Sequence, residues 1–193
     1  MKTVKNDVSD EMVIKNSRFI TVIKNINSAN KEDIEIILEN VKRQYPKATH
    51  YCYAYICNDE KKCSDDNEPS GTAGFPMLNV LEKECLSNVI VIVVRYFGGI
   101  KLGAGGLVRA YTKAVTETLK KAFFIELVLG YKIKLQFSYN NQKQVDYLLG
   151  GKILEKDYSQ DITYIVLIKK EDLEKFYDYS YEILEELYIE DYS

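Results

Sequence analysis

The sequence predicts an α+β chain of two small domains, on three observations. First, "NVIVIVVRYF" is a continuous β-branched run, the pattern of a central strand covered on both faces. Second, helical periodicities flank that run on both sides. Third, beyond Gly130 the segments follow the order βαββαβ, the ferredoxin-like plan. The expected domains are residues 1–128 and 129–193, with no repeat or low-complexity linker.

In chain order, "MVIKNSRFITVIKNI" alternates and is rich in β-branched residues, with a polar break near Asn16 and Ser17, so it reads as extended. "SANKEDIEIILENVKRQYP" reads as a helix capped by Ser28 or Asn30. Its apolar face is Ile34, Ile37, Leu38 and Val41, and Pro46 stops it. "ATHYCYAYIC" reads as a strand. Residues 58–71 are polar throughout and read as a surface loop. "FPMLNVLEKEC" reads as a short helix with proline near its start. After the β-branched run a helix is expected from about Gly105 to Ala122, with Leu107, Val108, Tyr111, Ala114, Val115 and Leu119 on its apolar side. In the second domain, strand "YKIKLQFS", helix "NQKQVDYLL", a Gly150–Gly151 turn and strands "KILEKDYS" and "DITYIVLIK" are expected. Helix "KEDLEKFYDYSYEI" and strand "EELYIED" complete it.

Composition narrows the function classes. The chain is 46% hydrophobic and 28% charged, an ordinary globular balance able to bury a core. The longest apolar run, Val89 to Val94, is far below the ~20 residues of a membrane helix. "MKTVKNDVSDEM" has no apolar segment of the secretory kind, so a soluble cytoplasmic protein is expected. In that setting Cys52, Cys57, Cys63 and Cys85 are expected as reduced thiols, and their spacings do not match paired zinc ligands. The net charge of -3 conceals an asymmetry: residues 1–129 carry 18 cations against 16 anions, residues 130–193 carry 8 against 13. A polyanionic partner is therefore expected on the first domain.

Five of the nine residues 98–106 are glycine. Gly98 and Gly103 have the spacing of a phosphate-binding loop, but Ala104 and Gly105 stand where its lysine and hydroxyl belong. Gly103 and Gly105 begin a dinucleotide fingerprint that Val108 breaks. Neither nucleotide reading holds. What remains is a strand, a glycine turn and a helix start whose amides can bind an anion. Arg109, Lys113 and Lys120 follow at i, i+4 and i+11, with Lys101 in the loop and Arg95 before it. The candidate phosphate or nucleic-acid site is therefore Arg95, Gly98, Gly99, Lys101, Gly103, Gly105, Gly106, Arg109 and Lys113. The alternative is that the glycines serve close packing and the cations solvate a helix face.

A second candidate site is the acidic loop "SDDNEPSGTAG". Asp65, Asp66, Glu68 and Ser70, with His50, the one histidine, contain the residue types of a hydrolase triad, and the paired carboxylates could hold Mg²⁺. Ser70 lacks the G-x-S-x-G context, and Pro69 with Gly71 suits a plain surface turn. No catalytic residue, cofactor or metal is assigned. A third reading is a protein–protein adaptor using the acidic tail, with Tyr177, Tyr179, Tyr181, Tyr188 and Tyr192.

"SDDNEPSGTAGFPML" and "NVIVIVVRYFGGIKLGAGGLVRAYTKAV", with "VIKNSRFI" and "ATHYCYAY", strongly resemble the signature of the IMPACT/YigZ family over about residues 8–125. The tail resembles, by pattern alone, the C-terminal domain of bacterial members. The resemblance implies a first domain with the βα sandwich of elongation factor G domain IV and a second like that factor's ferredoxin-like domain V. Eukaryotic relatives carry an extra domain and regulate translation by restraining a starvation-responsive kinase; this chain is expected to lack room for that domain, so the mechanism is not carried over. For bacterial members the implied role is translation-associated, with RNA or the ribosome as partner. No catalytic residue of the family maps onto this sequence, so a non-enzymatic binder is expected, with a hydrolase using the acidic loop and His50, or a protein–protein adaptor, as the alternatives.

Overall fold

The computed structural model describes residues 1–149 and 153–191, in two units, Met1–Glu126 and Leu127–Ser193. The expected Gly150–Gly151 turn and Tyr192 lie outside the described residues. The first unit runs β1 (Lys2–Val4), β2 (Val8–Ile14), β3 (Ser17–Asn25), α1 (Lys31–Gln44), β4 (His50–Cys57), β5 (Glu60–Ser64), α2 (Gly74–Lys83), β6 (Val89–Tyr96) and α3 (Ala104–Leu119). Its main sheet has the order β2-β3-β6-β4-β5, with every neighbour antiparallel.

β6 is central and buried on both faces because period two sends alternate side chains to two different cores. Val89, Val91 and Val93 face α2 and α3 with Phe19, Ala54, Leu107, Tyr111 and Val115. Ile90, Ile92 and Val94 face α1 with Ile20, Tyr55, Ile34 and Val41. The polar break at residues 15–16 is a tight hairpin turn between β2 and β3, with Ile14 opposite Ser17 and positive φ at Lys15 and Asn16. Asn30 caps α1 by accepting from the Asp33 amide.

Three expectations for this unit change. Residues 60–64 pair with β4 as an edge strand, where the sequence reads as loop; Glu60, Lys61 and Lys62 give it the charge that keeps an edge soluble. α3 begins one residue earlier than expected and ends at Leu119. Val108, expected on the apolar side of α3, is exposed.

The second unit continues along β7 (Phe124–Phe137), whose first three residues pair with β1, and then α4 (Gln142–Leu149), β8 (Ile153–Tyr158), β9 (Ile162–Lys169) and β10 (Ser180–Glu190). Its antiparallel strand order is β10-β7-β9-β8. Ile133, Leu135, Val145, Leu149, Tyr164, Val166 and Phe176 form its core. The helix expected after β9 is instead a 3₁₀ segment, Lys170–Phe176, and the last strand starts earlier. Residues 180–190 pair along β7, with Glu182 and Glu185 opposite Lys134 and Lys132, a favourable cross-strand charge placement. Tyr179 and Tyr181 pack on that core, while Tyr177 is exposed. Among the described residues no helix is long and apolar enough to cross a membrane.

Candidate nucleic-acid interface

The register of the first sheet sets Phe19, Arg95 and His50 in one row across β3, β6 and β4. Arg95 continues the row of Val89, Val91 and Val93, so its side chain turns inward, beneath α3. It is 4% exposed, and its Nη1 donates to Glu68 Oε1 at 2.5 Å. Tyr111 of α3 donates to the same oxygen at 2.8 Å, and Ser17 Oγ lies 3.3 Å from Arg95 Nη2. The guanidinium lies 5.4 Å from the Phe19 ring centre and 5.5 Å from that of Phe97. Arg95 is thus removed from the cationic surface that the sequence assigns it, because its charge is consumed by a buried ion pair. Glu68, read from sequence as a loop carboxylate, is buried as the other half of that pair.

The acidic loop is held rather than held out. Asp65 accepts from the amides of Gly71, Ala73 and Gly74 at 2.7, 2.9 and 2.8 Å. Asp66 Oδ2 accepts from the Tyr51 amide at 2.6 Å. His50 Nδ1 is 2.8 Å from the Asp66 carbonyl, and its Nε2 is 3.8 Å from Glu68 Oε1. Ser70 is exposed and makes no hydrogen bond to His50 among the described residues. The fold brings His50 against Asp66 and Glu68, but no nucleophile–base pair forms among these residues. Cys52, beside this cluster, is no substitute: burial pushes its thiol up to about 12. Burial likewise raises the Tyr111 hydroxyl, with Cys52 and Glu68 adding to it. Among the described residues no group of three or more His, Cys, Asp or Glu is placed to hold a metal ion.

The glycine loop leaves β6 where Arg95 goes under. Gly98 presses onto the β2–β3 turn so closely that a Cβ there would stand 2.1 Å from the Asn16 carbonyl carbon and oxygen. Its amide donates to Ser17 Oγ at 3.2 Å, and the Phe97 amide donates to Thr49 Oγ1 at 3.0 Å. Gly103, at φ +71, then turns the chain into α3 as its N-terminal cap. A glycine cap offers no side-chain acceptor, and the first intrahelical bond is Leu107 N–H to the Gly103 carbonyl at 2.9 Å. The amides of Ala104, Gly105 and Gly106 precede it and have no partner within the helix. The first turn holds no acidic residue. Arg109 folds back over it, with Nη1 3.7 Å from where a Gly105 Cβ would sit.

Lys101, Arg109 and Lys113 are exposed and form no ion pair among the described residues. Lys120 pairs with Glu117 at 2.8 Å and Lys121 with Asp10 at 2.7 Å, so the cationic stripe is unneutralised only at the N-terminal part of α3. Sequence reasoning missed the exposed ring of Phe97, because "RYF" reads as the end of a buried strand.

A family model, the Impact N-terminal domain, matches residues 15–119. The chain belongs to the IMPACT family. The IMPACT family member YvyE of Bacillus subtilis is 35% identical over 191 residues, spanning 94% of this chain and 85% of that protein. The IMPACT family member YigZ of Escherichia coli is 37% identical over 153 residues, spanning 75% of this chain and 74% of that one. A solved structure described as a hypothetical protein superposes with a TM-score of 0.72 at 29% identity, over 95% of this chain and 97% of the other. The IMPACT match begins at the hairpin turn that seats Gly98 and ends with α3, so it contains the acidic loop, the Arg95 row and the glycine loop.

Proposed function

We propose that this IMPACT family chain is a cytoplasmic, translation-associated regulatory protein that contacts RNA, free or in the ribosome, through the glycine loop and the start of α3. The observation that carries the reading is the electrostatics of that helix start. α1 begins as a stable helix should, with an Asn30 cap and Glu32 and Asp33 in its first turn. α3 begins in the opposite way: a glycine cap, no acid, and Arg109 lying over the positive end of the helix dipole. The missing acid and the overlying cation cost helix stability and favour an incoming phosphate, while the glycine cap, which φ +71 requires, leaves the first amides without a side-chain acceptor. Lys101 and Lys113 extend the same field on either side. The residues proposed for phosphate are Gly99, Lys101, Gly103, Gly105, Gly106, Arg109 and Lys113; Arg95 supports the loop from beneath, and Gly98, whose amide is given to Ser17 Oγ, seats it on the β2–β3 turn.

The family's likeness to elongation factor G domains IV and V is part of the proposal. The strand order β10-β7-β9-β8 is the one a ferredoxin-like domain has, which supports the second half of that likeness. The test is fluorescence anisotropy on a labelled structured RNA between ~50 and 200 mM salt, comparing the natural protein with Lys101→Ala/Arg109→Ala/Lys113→Ala. The expected outcome is steep salt dependence for the natural protein and a slope shallower by about two to three units for the variant. Equally weak binding by both at low salt rejects the reading.

A further inference from the structure

We propose that Phe97 is a stacking platform for an unpaired base, so that the RNA this surface takes is single-stranded; this rests on the RNA reading above. Phe97 is 45% exposed, at the point where β6 gives way to the glycine loop. A phenyl ring left in water on a loose loop would mean little, because single exposed apolar residues are common. The backbone that carries this one is pinned on both sides. Its amide is bound to Thr49 Oγ1, and the next residue, Gly98, is pinned on Asn16 and Ser17. The preceding residue, Tyr96, donates through its hydroxyl to the Pro46 carbonyl at 3.0 Å. The buried Arg95 guanidinium lies 5.5 Å from the ring centre, and Arg95 is itself fixed by Glu68.

Lysines also lie on the segments that residues 96–98 contact. Lys15 lies in the hairpin turn against which Gly98 packs, and Lys47 lies in the α1–β4 connection, next to Pro46 and two residues before Thr49. Lys101 follows four residues later. All three are exposed and carry no ion pair among the described residues. Ile100, 46% exposed, adds apolar surface beside them. An exposed ring on a pinned backbone, with unneutralised lysines on the segments around it, is the arrangement that binds a single strand, with the ring taking a base and the lysines its phosphates. A duplex keeps its base faces stacked internally and can use the lysines alone.

The chain has no tryptophan, so Phe97→Trp places a single reporter at the platform. Anisotropy at ~50 mM salt would compare a labelled ~12-nucleotide uridine oligomer with a blunt RNA duplex of the same length, for the natural protein, Phe97→Ala, Phe97→Leu and Phe97→Trp. The proposal expects Phe97→Ala and Phe97→Leu to weaken single-strand binding by about 5- to 100-fold, the loss of about one stacked base, with the salt slope unchanged. It expects duplex binding to be unaffected, and Phe97→Trp to bind like the natural protein with its emission quenched by the oligomer. If the Ala and Leu variants bind the single strand normally, if they weaken duplex and single strand alike, or if the tryptophan emission does not respond, the platform is overturned. In each of those cases the RNA reading stands provided the Lys101/Arg109/Lys113 variant still loses binding. If the natural protein binds neither RNA, both fall together.

Discussion

Asp65 supplies from a distance what α2 lacks at its own start. The helix is preceded by Ala73, which has no side chain to cap it, and Asp65 reaches in from the acidic loop to take the amides of Gly71, Ala73 and Gly74. Burial pushes its carboxyl up, but the three amide bonds outweigh this and hold it below the ordinary value of 3.8. Asp65→Ala is therefore expected to cost about 1–3 kcal/mol, measured by urea unfolding at neutral pH. The sign of the pH dependence follows from the lowered value. The contribution is present above the unfolded-state value and is lost as pH falls through the folded one, so the gap between natural protein and variant should close below about pH 4. A gap that stays constant into acid contradicts this role. At this scale the sequence was least legible. Arg95 and Glu68 lie 27 residues apart, and nothing in a one-dimensional pattern says that the cation ending β6 will meet the carboxylate of a polar loop. The strand read as "NVIVIVVRYF" already included Arg95, and the alternation of Val89, Val91 and Val93 points it to the buried face; the charge itself is what made it read as surface.

The start of α3 is an element built against its own stability, and the trade can be measured. Gly105 has open space for a side chain, its nearest neighbour being Arg109 Nη1 at 3.7 Å. Gly105→Glu removes a first-turn glycine, adds an acid in its place and sets it four residues before Arg109. It is expected to stabilise the protein by about 0.5–1.5 kcal/mol while abolishing most RNA binding. A variant that gains stability and keeps full binding would show that anions do not approach this end. Elements with strong burial were legible from sequence: β6 because both its faces are apolar, α1 because cap, apolar stripe and proline agree. β5 was not, since a charged edge strand has the composition of a loop. Gly130 was legible as special but for a different reason. It lies within β7, where a Cβ would stand 2.6 Å from the Ile168 carbonyl oxygen and 2.7 Å from the Ile189 side chain, so it permits close strand packing instead of breaking the chain. "EELYIED" was legible as the last strand, but its start at Ser180 was not: "SYEIL" has helical propensity, and the backbone ladder with β7 and the packing of Tyr181 extend the strand through it.

Across the whole molecule, the first unit has two cores, one on each face of its sheet, and the second has its own. Calorimetry should resolve two transitions. Ile92→Ala, in the first unit, and Ile133→Ala, in the second, each remove a fully buried side chain and should each cost about 2–5 kcal/mol. Each is expected to lower one transition only; a single transition lowered by both would mean the units unfold as one. The charge asymmetry read from sequence also belongs to this scale. The break between units falls among uncharged residues 127–129, so the first unit carries 18 cations against 16 anions and the second 8 against 13. On charge alone a polyanion is expected to favour the first unit over the second, where acids outnumber cations.

β6 joins β3 to β4, and those two strands meet only through it. The β2–β3 and β4–β5 hairpins both precede it in the chain, so during synthesis they emerge with the edges of β3 and β4 unpaired until residues 89–96 arrive between them. Until then each inner edge is open to another chain. The strand that completes the sheet is thus also what ends its exposure to aggregation, and any slowing of its insertion prolongs that interval.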